Sequence, residues 1–440
     1  VDVKGIIMAF NENTRVKIPA ILHLCRLGYE YISLKNVKTD LETNIFIDIF
    51  NDSITRINPN LEHGDLQRAL QDISLALDNE DLGQAFYKML TNPSKVKLFD
   101  FKNVNNNSFH VVTELPYKNG DDEFRPDITL LINGMPLVII EVKKPNNQKG
   151  VLAEKDRINI RFKNKKFRKF INTFQILMFS NNMDYDSNSI EPIQGAFYSS
   201  TSYSSASFNY FREEDNLDLS KILQPENNTL EIEVLKDNNL SAIKDSPEFI
   251  TNKNPDTPTN RVITSLFNKE RLAMLLKYAI VYVQGESGLE KHIMRYPQLF
   301  ATKAIERNIE AGVKKGIIWH TQGSGKTALA YYNVGYLTDY FQHNNIIPKF
   351  YFIVDRLDLL NQAKQEFSNR GLIVHTVNSR EELLTDFSTS KAIHNSKGQR
   401  EITVVNIQKF ANDTAIFQVK DYDINIQRVY FLDEAHRSYN

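Results

Sequence analysis

The chain has 440 residues, with 53 Lys and Arg against 54 Asp and Glu, so a net charge of −1 favours neither nucleic acid nor an acidic partner. Hydrophobic residues at 41% and charged residues at 24% are ordinary for globular proteins, and at ~150 residues per domain the length suggests two to three domains. The single cysteine, Cys25, excludes a disulfide framework and a cysteine-rich zinc site. The longest apolar stretch, 272–283, contains Lys277 and falls short of the ~20 residues of a membrane span. The first ten residues lack a signal pattern, so a cytoplasmic protein with no membrane partner is expected. The chain starts at Val1 and stops four residues after His436, which reads as a fragment.

Ile18, Ile21, Leu22, Leu24 and Cys25 recur at helical spacing until Gly28 stops the run. Residues 29–34 follow as a strand, 61–90 as helix with Leu66, Leu70, Ile73 and Leu77 in one stripe, and 109–115 as a strand. The apolar runs 128–132 and 136–142 are separated by Asn133-Gly134, a strong signal for a tight hairpin. Residues 153–183 read as helical and very basic. Between 141 and 170, eleven Lys and Arg stand against three acids, with Phe162, Phe167 and Phe170 interleaved. Such a face suits a phosphate backbone, the alternative being a solvated helix; the three Phe read as core. The stretch 244–261, with Pro247, Pro255 and Pro258, is the densest linker signal, and the domain boundary is placed there, giving 1–250 and 251–440. Beyond it, helical stretches at 262–283, 326–342 and 357–370 alternate with apolar runs at 316–319, 350–354, 372–377, 402–405 and 429–432. That alternation predicts an α/β unit with a parallel sheet between helices.

Two groups of residues carry chemistry. In the second half, the 316–319 run leads into His320-Thr321-Gln322-Gly323-Ser324-Gly325-Lys326-Thr327, and a helix pattern begins at once. Gly323 and Gly325 let the backbone curl so that its N–H groups, with Thr321 and Ser324 in the loop, face a triphosphate. Lys326 reaches the β- and γ-phosphates, and Thr327 holds Mg²⁺. The helix dipole adds to the anion site. Downstream, the 429–432 run ends in Asp433-Glu434-Ala435-His436, where Asp433 would bind Mg²⁺ and Glu434 would polarise the attacking water. These residues resemble superfamily 2 helicases and translocases of the DEAD/DEAH-box kind, in which His320 in place of the first loop glycine is unremarkable. The resemblance implies a RecA-like motor lobe, ATP as cofactor, and adenine reading by Gln298 in Arg295-Tyr-Pro-Gln298. It also implies nucleic-acid backbone contacts from Asp355-Arg356 and Gln408-Lys409-Phe410. Such motors need a second lobe, so this chain is expected to bind ATP–Mg²⁺ and to hydrolyse it at background rate.

In the first half, Asp127 begins one hairpin strand while Glu141 and Lys143 end the other. Strand residues alternate faces, so Glu141 and Lys143 share one, and the tight turn returns Asp127 beside them. Two carboxylates at one edge form a hard-oxygen site for Mg²⁺, and Lys143 can orient water and stabilise the charge on phosphorus. The alternative is a solvent-facing ion-pair cluster. The run Pro126-Asp127, thirteen residues, Glu141-Val142-Lys143 resembles the PD-(D/E)XK nuclease signature, which implies a mixed-sheet endonuclease domain. Gln175, placed on the following helix, resembles the Gln of the RecB-type Gln-x-x-x-Tyr motif, with Phe179 in place of Tyr. Glu12 resembles the N-terminal helix acid of some of these nucleases.

The order of nuclease core, Leu266-Phe-Asn-Lys-Glu-Arg271, Arg295-Tyr-Pro-Gln298 and motor lobe is similar to the R (restriction/motor) subunit of type I restriction–modification enzymes. Gly28-Tyr29, Phe124-Arg125-Pro126-Asp127, Glu141-Val142-Lys143-Lys144-Pro145 and 320–327 carry the resemblance across nearly the whole chain. It implies duplex DNA as substrate, partners in methyltransferase and specificity subunits, and ATP-driven translocation before cutting. Two alternatives stay open. A type III-like or other nuclease–helicase fusion usually places the nuclease after the motor. An ATP- and DNA-binding chain without turnover is the other.

Overall fold

The computed structural model describes residues 12–92, 95–145, 150–185, 194–321, 323–377, 379–388, 399–406 and 425–433. The chain divides into two units, Val1–Ile280 with Lys291–Ile293, and Val281–Glu290 with Met294–Asn440.

The first unit is built on a seven-stranded mixed sheet. Its strands are β1 (Glu30–Tyr31), β2 (Phe109–Thr113), β5 (Ile128–Ile132), β6 (Met135–Val142), β7 (Ile176–Ser180), β8 (Ala196–Ser199) and β9 (Asn209–Tyr210), while β3 (Tyr117–Asn119) and β4 (Asp122–Phe124) form a separate antiparallel pair. The sheet order is β1-β2-β5-β6-β7-β8-β9, with β1–β2 and β6–β7 parallel and the other pairs antiparallel. Every residue of β5 and β6 is buried, as near-continuous apolar runs demand of strands covered on both faces. The Asn133-Gly134 turn joins them with φ of 51° and 77°, the left-handed pair that matches strand twist. A Cβ on Gly134 would lie 2.7 Å from Phe46 O and Phe50 N, so only glycine lets the Ile47–Ile57 helix close on this turn.

The parallel step from β6 to β7 needs a crossover, which the helices Gly150–Lys163 and Arg168–Thr173 supply. Phe162, Phe167 and Phe170 are buried; Phe167 and Phe170 pack on Phe124 with ring centroids 4.8 and 4.3 Å away. The expected helix over 153–183 is corrected here. Helix gives way after Thr173, and the short apolar run Ile176–Ser180 becomes a buried sheet strand. Periodicity alone does not separate a five-residue buried strand from buried helix. Likewise 29–34 shrinks to β1, and 61–90 divides into Asp65–Leu77 and Gln84–Thr91 at Gly83, whose φ is 79°. The helices Pro258–Phe267 and Lys269–Met274 belong to the first unit. A π-helical turn, Leu275–Ala279, and the paired strands β10 (Ile280–Gly285) and β11 (Gly288–Ile293) replace the rest of the expected 262–283 helix.

The second unit holds a parallel sheet of β12 (Ile347–Val354), β13 (Ile373–Val377), β14 (Glu401–Asn406) and β15 (Ile426–Leu432), in the order β13-β14-β12-β15. Alternation along β12 splits its side chains between two cores. Phe350, Phe352 and Val354 meet the Lys326–His343 and Leu357–Asn369 helices, while Tyr351 faces Leu383 of the Arg380–Ser388 helix. The sheet with helices on both faces follows the sequence pattern. The expected strand at 316–319 does not form: the segment pairs with no described strand, and Ile317 and Trp319 are each 89% exposed. A strand exists only through a neighbour's hydrogen bonds, and the described residues offer it none. No helix among the described residues is long and apolar enough to cross a membrane.

Candidate functional site

The hairpin register sets Ile128 opposite Ile140, which brings Asp127 to the end of β6. The Val142 N–H donates to Asp127 Oδ2 at 2.9 Å and fixes that carboxylate. Lys143 is held through its own N–H, which donates to Ser180 O of β7 at 2.8 Å. Its ammonium donates to Val142 O at 2.7 Å and lies 3.3 Å from Glu12 Oε2, 3.6 Å from Glu154 Oε1 and 3.8 Å from Asp127 Oδ2. Glu141 accepts from Arg161 Nη1 at 3.0 Å, and the Arg161 guanidinium lies 4.5 Å from the Phe124 ring centroid. Glu154 also accepts from Arg157 Nη1 at 2.5 Å. The N-terminal helical segment, the two hairpin strands and the Gly150–Lys163 helix thus converge on one interleaved set of carboxylates and bases.

Burial and the neighbouring Asp127 carboxylate push Glu141 up to about 8, against the pull of Arg161. Burial opposes the charge on Lys143, but Asp127, Glu154, Glu12 and Glu141 together outweigh it and raise its pKa. Burial also raises Glu12, with Lys143 pulling the other way. Lys143 is therefore a fixed ammonium, while burial and Asp127 favour the neutral form of Glu141.

Asp127, Glu141 and Lys143 come together as the sequence predicts, and Glu12 joins them. Gln175 does not. Its N–H donates to Leu137 O, at the far end of β6 from Glu141, which pairs with Phe179. Four residues along a strand separate the two by about 13 Å. Gln175 is fully buried, its amide donates to Thr173 O at 2.8 Å, and Phe179 stacks on Phe208. Sequence reasoning missed Glu154, Arg157 and Arg161, which it had merged into a basic helix. Their i, i+3, i+7 spacing puts all three on one helix face, and that spacing was the available signal.

In the second unit, Gly323 and Gly325 take left-handed φ of 75° and 84°, and Lys326 opens the 326–343 helix. Gln298 holds this loop from behind. Its amide donates to Ser324 O at 3.3 Å and Gly325 O at 3.1 Å, while its oxygen accepts from Arg295 N at 2.9 Å. A Cβ on Gly325 would lie 2.5 Å from Gln298 Nε2, and its left-handed φ of 84° favours glycine there. The Ser324 hydroxyl is buried and has no hydrogen-bond partner among the described residues, beside a helix N-terminus, which fits a phosphate acceptor group. The helix packs on β12 and leads into it through a three-residue link, and β15 is parallel to β12. The loop, Asp355 and Asp433 therefore share the carboxyl edge of the sheet, where α/β proteins bind ligands. The Asp433 N–H donates to Ile353 O at 3.0 Å. Glu434, Gln322 and the Gln408-Lys409-Phe410 motif lie outside the described residues.

Comparison with known proteins matches residues 9–187 to the type I restriction enzyme R protein N terminus and residues 297–440 to the SWI2/SNF2 ATPase. Among similar proteins, the MjaVIIP endonuclease subunit of Methanocaldococcus jannaschii, provisionally named as part of a type I restriction enzyme, is 29% identical over 72% of this chain and 27% of its own length. The MjaIXP subunit of the same organism, also provisionally named, is 27% identical over 98% of this chain and 40% of its own. The type I restriction enzyme HindI endonuclease subunit of Haemophilus influenzae is 24% identical over 97% and 39%. The chain is thus similar to type I restriction endonuclease subunits over most of its length. It spans between 27% and 40% of the length of these relatives. The hairpin cluster falls inside the R protein match, and Gln298, the phosphate loop and Asp433 fall inside the ATPase match.

Proposed function

We propose that the chain is the N-terminal part of the DNA-cleaving, ATP-dependent translocating subunit of a type I restriction enzyme. In this reading the first unit, which runs to Ile280 rather than to the expected boundary at 250, holds a PD-(D/E)XK nuclease domain, and the second unit is the first RecA-like lobe of a superfamily 2 motor. The observation that carries it is the hairpin mouth, where Asp127, Glu141 and Lys143 meet on a buried sheet inside the R protein match. The donor set suits Mg²⁺: two carboxylates and the Val142 carbonyl are hard oxygens, and Lys143 and Arg161 already place positive charge against them. A divalent cation held by Asp127 and Glu141 would neutralise the scissile phosphate and lower the pKa of its bound water. Lys143, kept protonated by its carboxylates, stabilises charge on the phosphorus centre rather than acting as the base.

In the motor lobe, Thr321, Gly323, Ser324, Gly325 and Lys326 cradle the ATP phosphates, Thr327 and Asp433 hold Mg²⁺, and Glu434 orients water. Gln298 positions the loop in addition to any adenine contact. Duplex DNA is the substrate, and methyltransferase and specificity subunits are the partners, which agrees with the lack of a base-reading motif in the sequence. A second reading, ATP and DNA binding without turnover, draws on the 316–319 segment, which stays outside the sheet.

Plasmid nicking by the 440-residue chain in Mg²⁺ or Mn²⁺ tests the nuclease reading. Wild type is expected to nick, and Asp127→Ala and Lys143→Ala to lose at least about 100-fold in rate. Equal nicking by wild type and both variants removes the hairpin from the chemistry.

A further inference from the structure

We infer that Glu154 is a positioning residue of the hairpin site, the carboxylate that keeps the Lys143 ammonium at the hairpin mouth when Asp127 serves another cation. The inference rests on the nuclease reading of that site. Among the described residues three carboxylates lie within 4 Å of the Lys143 ammonium, and they are not equivalent. Asp127 is the farthest, at 3.8 Å, and is committed to the Val142 N–H. In the nuclease reading it is also the group that a divalent cation takes, and two cations repel at one carboxylate. Glu12 is nearest, at 3.3 Å, but its side chain is 27% exposed. Glu154 is 3.6 Å away and its side chain is only 3% exposed. Attraction between charges strengthens as water is excluded, so Glu154 holds the ammonium more firmly than distance alone suggests.

The surroundings of Glu154 support the same role. It lies within the Gly150–Lys163 helix, so helical hydrogen bonds fix its backbone. Arg157, one turn on, donates to Glu154 Oε1 and holds that carboxylate in place. Arg157 is itself largely in solvent, with 56% of its side chain exposed, and its ion pair is to Glu154. Glu154 pairs with Lys143 and Arg157, and its charge also bears on Glu141. Its one ion pair to a residue of the hairpin is with Lys143 among the described residues, and through that contact it positions the ammonium.

The test uses the 440-residue chain with Glu154→Gln, which removes the charge and keeps the volume, and Glu154→Asp, which restores the charge on a shorter arm. One readout is the rate at which Lys143 is acetylated by acetic anhydride in EDTA, followed by mass spectrometry. The other is plasmid nicking in Mg²⁺, split into kcat and KM. Thermal melting confirms that each variant folds. Glu154→Gln should label Lys143 faster than wild type and lower kcat about 10- to 100-fold with plasmid KM unchanged, the size expected from misplacing a catalytic group. Glu154→Asp should recover part of both. Lys143 labelling in Glu154→Gln equal to wild type overturns the inference, as does an unchanged kcat in an active enzyme. If Asp127→Ala nicks like wild type, the nuclease reading fails instead, while the labelling result still decides whether Glu154 holds Lys143.

Discussion

The hairpin site and the phosphate loop place their charges by different means. At the hairpin, Glu12, Asp127, Glu141, Lys143, Glu154, Arg157 and Arg161 come from separate segments, and Glu141 and Glu154 are buried. Each buried charge there has a partner, because an unpaired one in a low-dielectric interior costs several kcal/mol. The phosphate loop is one contiguous run, partly open to solvent, shaped by two left-handed glycines and held from behind by Gln298. Its anion-facing polarity comes from backbone N–H groups at a helix start. A site assembled from distant segments therefore couples its chemistry to the stability of the unit, whereas a local loop does not.

That contrast is broken most easily at Lys143. Lys143→Ala leaves Glu12, Asp127 and Glu154 without their shared cation, and it should destabilise the first unit by about 3 kcal/mol in addition to abolishing nicking. Urea unfolding followed by first-unit probes checks this, and an unchanged midpoint would mean that water already screens the cluster. The pH dependence sharpens the same point. Glu141 is held near 8 in the fold, above its ordinary value of 4.5, so its contribution to stability is present below about 4.5 and is lost as pH rises towards 8. In EDTA, Glu141→Gln should therefore gain stability relative to wild type across that window, by up to a few kcal/mol at ~1.4 per pH unit. A difference that stays flat from pH 4.5 to 8 would show that Glu141 titrates normally. The smallest structural effect belongs to the loop. Lys326→Ala should shift the melting profile less than Lys143→Ala and weaken ATP–Mg²⁺ binding about tenfold or more, as loss of a charge-assisted hydrogen bond predicts. Calorimetry and melting on the same sample separate the two.

The same contrast explains what the sequence revealed. Asn133-Gly134 between two apolar runs determined the hairpin, and the period of two then carried Glu141 and Lys143 to the side of Asp127. The phosphate loop was legible because its residues are adjacent. Gln175 was misplaced because a short buried run satisfies helix and strand equally until the sheet claims it. Glu154 and Arg161 were hidden by the net charge of their helix, which says nothing about the direction each residue faces. The 316–319 run has the composition of a strand, but pairing is a property of the neighbour, which no local pattern reports.

The central claim is that the hairpin mouth is a cation site formed by Asp127 and Glu141. Calorimetric titration of the metal-free chain with Mn²⁺, with ATP absent and Asp127→Ala run beside wild type, tests it most directly. The account predicts a binding event in wild type that disappears in Asp127→Ala while the melting profile of the second unit is retained. Identical titrations of the two proteins would contradict it and leave the cluster as a structural ion-pair network.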